Sequence, residues 1–381
     1  MKNQCVQKIP SEISARITSL RFLLIVLVVF IHNNFTQEQI EKDGIEILFN
    51  QNFLGKWIQL FISQGIARSA VPIFFLFSAY IFCVKNDSFA VSIKKRIRSL
   101  VVPFFLWSVL QIFVFSPIQV FLFNAIKIVL KNKIPFETLS EEIPFLSWTP
   151  ADFFHGIFGY NISSAESLKS VLGGFAGQFW YVRDLFILFL LSPVLKNCIK
   201  KNPLAAMTVV SFFYFCDIRP VFVACHALFY FSLGIFCAEF KIDFFAIADK
   251  ISWKISWTIF AFFFFVTNFF FDGNSPYKFF VWFCACILLL KFSRTICARP
   301  EFFSFAEKLS HYSFWLFAIH NPVLNGIFSR LFIKFFPMKN TFFCLLEYFG
   351  ATFCVVIFGT ILGVVLKKFC PKIFAFLTGG R

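Results

Sequence analysis

Runs of apolar residues long enough to cross a hydrocarbon core, roughly 17 to 25 residues each, recur from one end of the chain to the other, separated by short polar breaks. They predict about ten transmembrane helices: Ile17 to Phe35, Ile66 to Val84, Leu100 to Phe123, Phe179 to Leu195, Pro203 to Asp217, Val221 to Phe240, Trp253 to Phe271, Tyr277 to Leu290, Ser313 to Phe336 and Phe342 to Leu366. Basic residues precede the first run, as in a secretory signal. Its exit, His32-Asn33-Asn34-Phe35, offers no small-residue cleavage site, so it reads as an anchor that stays in the protein. No internal repeat is visible, which disfavours the inverted-repeat transporter folds.

The expected fold class is therefore all-α, a polytopic integral membrane protein with one membrane domain over residues 1–381. The breaks set its orientation. One alternate set holds Lys2, Lys8 and Arg16, the cluster Lys94-Lys95-Arg96-Ile97-Arg98, Lys196, Lys200, Lys201, Arg294, Arg299, Lys308 and the tail Lys367, Lys368, Lys372 and Arg381. By the positive-inside bias that side is cytoplasmic and holds both termini. The opposite set carries Glu38, Glu41, Asp43, Glu46 and the long segment Ile126 to Gln178, whose Pro, Gly and Ser content argues against a packed domain of its own. The chain ends soon after Lys368, so no appended soluble domain is expected.

Composition agrees with this reading and removes competitors. Of 381 residues 59% are hydrophobic and 15% charged, with mean hydropathy +0.76, more apolar surface than a soluble fold can hide. The net charge of +16 sits in short clusters where topology signals belong, which argues against nucleic acid as a partner. The 65 phenylalanines read as drift among lipid-facing positions, because Phe and Leu have similar transfer costs. The twelve cysteines include no CxxC pair and fall mostly in apolar runs, so they read as small buried hydrophobes, with no disulfide framework and no metal site expected.

Ionisable groups inside a span are costly and mark candidate chemistry. Arg21 and His32 stand eleven positions apart on the opening helix, about three turns and about 16 Å, so both share one face. That face suits a ligand with an anionic head and a long arm, such as coenzyme A, delivering a thioester to an imidazole base. The same residues also fit a structural reading, with Arg21 snorkelling to lipid phosphate and His32 bonded to a neighbouring helix. The Lys94 to Arg98 cluster before Val102-Pro103 can cradle a nucleotide phosphate or simply anchor the topology. In Phe179-Trp180-Tyr181-Val182-Arg183-Asp184, the adjacent charges either pair with other helices or position an acceptor sugar stacked on Trp180. His320 and Asn321 lie within a span, where Pro322 frees backbone carbonyls that need new partners, so that helix should face the protein interior. His226, with no motif around it, reads as a core histidine.

Taken together, these segments resemble acyltransferase family 3, the polytopic membrane O-acyltransferases of bacterial envelope polysaccharides. Arg21 and His32 match its arginine, ten residues, histidine signature. Val71 to Tyr80, with Ser78, resembles the span ending in Ser-Gly-Phe, and Lys94 to Pro103 the basic loop. Trp180 to Pro193 and Ser313 to Pro322 resemble two later spans, in the family's order and over nearly the whole chain. The resemblance implies His32 as catalytic base, Arg21, Lys95 and Arg98 at the acyl-coenzyme A end, and Ser78, Trp180, Arg183, Asp184 and His320 on the substrate side. It implies transfer of an acyl group, acetyl first among candidates, to a hydroxyl of a polysaccharide or lipid-linked sugar, with no metal. Two departures stand out. Lys95 replaces the first arginine of the basic loop with a point charge, and Ala79-Tyr80 replaces glycine-phenylalanine where helices would pack closely. A flippase or transporter of envelope saccharides is the competing class, and release of coenzyme A during turnover separates the two.

Overall fold

The computed structural model describes residues 9–33, 53–85, 87–115, 117–118, 121, 177–218, 223–271, 277–336 and 340–380, and within them every regular element is a helix. The expected outer segment from Ile126 to Gln178, apart from its last two residues, lies outside the described residues, as does the acidic stretch Glu38 to Glu46.

The opening helix α1 spans Ser11–His32 without a break. Next come α2 (Phe53–Gln59), a π-helical stretch Leu60–Ile66, a 3-10 turn Ala67–Ser69 and α3 (Ala70–Lys85). Helix α4 (Phe89–Arg96) passes through a π-turn Ile97–Val101 into α5 (Val102–Leu110), which ends in a second π-turn, Gln111–Phe115. Helices α6 (Trp180–Lys201), α7 (Pro203–Phe215), α8 (Cys225–Glu239), α9 (Phe244–Lys250), α10 (Trp253–Phe270), α11 (Lys278–Cys297) and α12 (Pro300–Ser310) follow. The last group is α13 (Ser313–Ile319), the π-turn His320–Leu324, α14 (Asn325–Phe335), α15 (Thr341–Phe369) and α16 (Pro371–Thr378). Local chemistry fixes several starts. Asn202, Asp243, Ser252 and Asn340 each cap a helix by accepting a backbone N–H with the side chain, and Pro203 follows its cap at a position where no donor is needed.

Six helical stretches are long and apolar enough to cross a membrane: Ser11–His32, Leu54–Lys85, Phe89–Phe115, Trp253–Phe270, Lys278–Cys297 and Thr341–Phe369. They match the first, second, third, seventh, eighth and tenth expected spans. The others depart from a plain apolar span for identifiable reasons. The fourth, α6, carries Arg183, Asp184 and a lysine-rich end, while α7 and α8 have only 13 and 15 residues. The ninth is broken at Asn321.

The chain divides into two compact units interleaved in sequence. The first comprises Met1–Ile31, Phe61–Ile97 and Asp184–Ser313. Its α3 and α8 approach so closely that a Cβ at Gly234 would lie 2.5 Å from the Leu76 carbonyl oxygen and 2.8 Å from Ala79 Cβ. Arg16 holds Asp249 through a bidentate pair at 2.7 and 2.9 Å and donates to Ser293 and to the Leu290 carbonyl, with its guanidinium 4.3 Å from the centre of the Phe245 ring. Buried Lys291 donates to the carbonyls of Ala248, Asp249 and Ile251, closing the C-terminal end of α9, where a cation also meets the helix dipole. Lys196 and Lys200, one turn apart on α6, grip both oxygens of Glu239 at 2.8 and 2.9 Å.

The second unit comprises His32–Leu60, Arg98–Arg183 and Phe314–Arg381. Trp315 of α13 donates its indole N–H to the Gly359 carbonyl, and its ring fills a notch in α15 where a Cβ at Gly363 would lie 2.6 Å from it. Trp107 of α5 packs edge-on against Trp315 and donates to the Leu377 carbonyl of α16, binding the tail helix to this core.

Candidate active site

The site grows from the break in the ninth span. Pro322 has no N–H to give back along the helix, and Asn321 adopts an extended backbone, φ −129° and ψ 142°. The freed carbonyls find side-chain partners. Gln178 donates to the Asn321 carbonyl at 2.5 Å and to that of Ala318 at 3.5 Å, and Gln111 donates to Asn321 at 3.3 Å. Phe314 to Ala318 are all buried, as the polar residues of this helix predict.

The kink leaves His320 fully buried, with Nδ1 2.7 Å from the Phe317 carbonyl oxygen and 3.2 Å from that of Leu316. A carbonyl only accepts, so in the neutral ring the proton sits on Nδ1 and Nε2 carries the lone pair. Nε2 has no hydrogen-bond partner among the described residues. The His32 ring, exposed at the end of α1, lies 5.2 Å from that of His320, centre to centre. Two imidazoles at this spacing, one with a defined tautomer and an open basic nitrogen, can accept and pass a proton from a hydroxyl.

The other predicted residues are distributed unevenly. Half-buried Trp180 and Arg183 sit in the first turn of α6; Phe179, just before that helix, and Tyr181 within it pack on the histidine helix, with ring centres 5.5 and 5.9 Å from that of Phe317. Asp184, fully buried, accepts the backbone N–H of Ala224 at 3.0 Å, at the start of α8. Arg21 is exposed on α1, and Ser78 is half-buried on α3. Lys95 pairs with Asp87 at 2.7 Å with its side chain 64% exposed, and Arg98 is exposed on the π-turn between α4 and α5. The Lys95 ammonium, donating a hydrogen bond, holds the Asp87 carboxyl below its usual range. Among the described residues no group of three or more His, Cys, Asp or Glu could hold a metal ion.

A family model described as an acyltransferase domain matches residues 14–368. The chain belongs to acyltransferase family 3. It is also similar to the succinoglycan biosynthesis protein ExoH of Rhizobium meliloti (strain 1021), 23% identical over a 400-residue alignment that covers 97% of this chain and 93% of that protein. No solved structure matches the chain. This membrane protein is therefore an acyltransferase.

Within the family frame, the structure resolves one departure. The family's glycine in the second span is Ala79 here, and the close approach of helices is provided from the opposite side by Gly234 of α8. His226 lies half-buried with its ring 5.9 Å from that of Trp282, as expected of a core histidine. Cys83, Cys225, Cys237, Cys284 and Cys286 are buried, whereas Cys216 is exposed.

Several polar groups escaped the sequence reading. Gln111 and Gln178 were hidden because their partners are backbone atoms far along the chain. Arg68, whose Nε donates to Gln64 at 3.0 Å, and buried Glu347 were visible as charges within apolar runs, the same signal that singled out Arg21.

Proposed function

We propose that the protein transfers an acyl group from acyl-coenzyme A, with acetyl-coenzyme A the first donor to test, to a hydroxyl of an envelope polysaccharide or a lipid-linked sugar. In this reading the chain crosses a bacterial plasma membrane about ten times as one membrane domain, with both termini in the cytoplasm. Arg21, Lys95 and Arg98 engage the donor's phosphates. His32 removes the proton of the acceptor hydroxyl, and the oxygen attacks the thioester carbonyl. Collapse of the tetrahedral adduct breaks the C–S bond, giving an ester and coenzyme A, which leaves as the thiol once it takes up the proton. His320 takes that proton on from His32 at its open Nε2, and Trp180 and Arg183 contact the sugar, with Ser78 and Asp184 shaping the substrate side.

The observation that supports this most is the pair of imidazoles 5.2 Å apart, one of them with its tautomer set by a backbone carbonyl. Family membership supplies the reaction class, and the relative's name supplies the polysaccharide context. The test uses the full chain in lipid nanodiscs with radiolabelled acetyl-coenzyme A and glycan from the cell envelope. His32→Ala is expected to abolish label transfer and thiol release while expression and folding persist, and undiminished transfer by that variant would remove His32 from the mechanism. Mass spectrometry of envelope glycans from cells with and without the gene names the acyl group and the acceptor.

A further inference from the structure

The second unit holds another group of polar side chains, one residue beyond His32. Asn33 donates to Thr352 Oγ1 at 3.0 Å and to the Tyr348 carbonyl at 3.3 Å, and it accepts the Ser329 hydroxyl. Ser329 stands beside Glu347 of α15. One turn before Glu347, Cys344 accepts from Gln59 Nε2 of α2 at 3.2 Å, and one turn before Ser329, on the same face of α14, is Asn325. Gln59 and Glu347 are fully buried and Asn325 is 4% exposed. Yet Gln59 Oε1, both amide atoms of Asn325 and both carboxyl oxygens of Glu347 have no hydrogen-bond partner among the described residues.

Such a set is costly in an apolar bundle, where fold alone would favour leucines at the same places. Its chemistry specifies what would satisfy it. The open positions are mostly acceptors, so the ligand must bring several O–H or N–H donors. The unpartnered Asn325 amide donor also requires an acceptor, which a bare cation lacks. A polyol meets both demands, since each hydroxyl donates once and accepts twice. We propose that Gln59, Asn325 and Glu347 form a subsite for the hydroxyls of a saccharide, adjoining His32 through Asn33. This rests on the acyl-transfer reading and assigns the acceptor's sugar ring to a definite place.

The experiment uses the full chain in nanodiscs, acetyl-coenzyme A as donor and envelope glycan deacylated by mild alkali as acceptor. Glu347→Leu removes the buried polar group, so its melting temperature should rise while the acceptor KM rises about tenfold, roughly the loss of one hydrogen bond. The donor KM should stay within about twofold, because the donor makes no such bond. If the leucine variant does not fold, Glu347→Gln, of the same shape, should show the same split of acceptor from donor. An unchanged acceptor KM, donor and acceptor KM rising together, or a sodium requirement abolished by the substitution would each overturn the subsite. Absence of any transfer by the wild-type chain would instead defeat the acyl-transfer reading beneath it.

Discussion

His320→Asn separates chemistry from folding at the kink. The asparagine amide nitrogen reaches where imidazole Nδ1 now stands, so the bond to the Phe317 carbonyl, 2.7 Å long in the native protein, is retained. Nε2, which bonds to no described residue, is what disappears. Since one neutral hydrogen bond contributes about 1 kcal/mol, keeping it should hold the stability loss to about that figure. His320→Ala would also empty a fully buried site and cost about 2 to 5 kcal/mol, as large-to-small core changes do. Positioned proton acceptors contribute about 100-fold to 10,000-fold in rate. The asparagine variant should therefore lose at least about 100-fold in turnover, about 2.7 kcal/mol of barrier, with a melting temperature near the native one. The assay is thiol release from acetyl-coenzyme A with acceptor present, beside thermal unfolding in the same detergent. His320→Gln, whose amide can bond where Nε2 stood but cannot take a proton, should not recover the rate. Turnover by His320→Asn within about threefold of the native rate, far short of what a proton acceptor supplies, would refute the role given to Nε2.

Three further substitutions probe the first unit. Gly234→Ala would ordinarily favour a helix by about 1 kcal/mol, but here the new methyl meets the Leu76 carbonyl oxygen at 2.5 Å; thermal unfolding should show a loss of about 1 to 3 kcal/mol, and a stabilised variant would mean that α3 and α8 pack differently. Lys95→Gln should raise the donor KM roughly tenfold, the weight of one charge-assisted hydrogen bond, and Asp87→Asn, which frees the ammonium, should lower it. The lysine depresses the folded carboxyl below 3.8, so the pair is intact above that pH, is lost only as the pH falls through the lowered value, and gives a donor KM independent of pH around neutrality.

The spans were legible because a helix in hydrocarbon must be mostly apolar, and α1, α3, α10, α11 and α15 satisfy that rule. Legibility failed where the structure solves a problem in three dimensions. Residues beyond Leu290 looked like the end of a span, yet α11 continues to Cys297 because Lys291 spends its charge on the carbonyls of another helix. At the site, Pro322 announced that carbonyls would need partners, but nothing local said that these would be Gln111 and Gln178. Asp184 shows the converse. Its neighbours left open a pairing with another helix or a place beside the sugar, and only the fold reveals that its carboxylate meets the N–H of Ala224.

The tail helix has a practical consequence. With Trp107 holding Leu377 and with Gly379, at φ 70°, seated where a Cβ would lie 2.7 Å from the Ser99 carbonyl oxygen, the last turn abuts the segment that carries Arg98. Any reporter or purification handle fused after Gly380 would emerge beside that arginine and compete with whatever anion it attracts. Protein for kinetic work is better labelled ahead of Ser11.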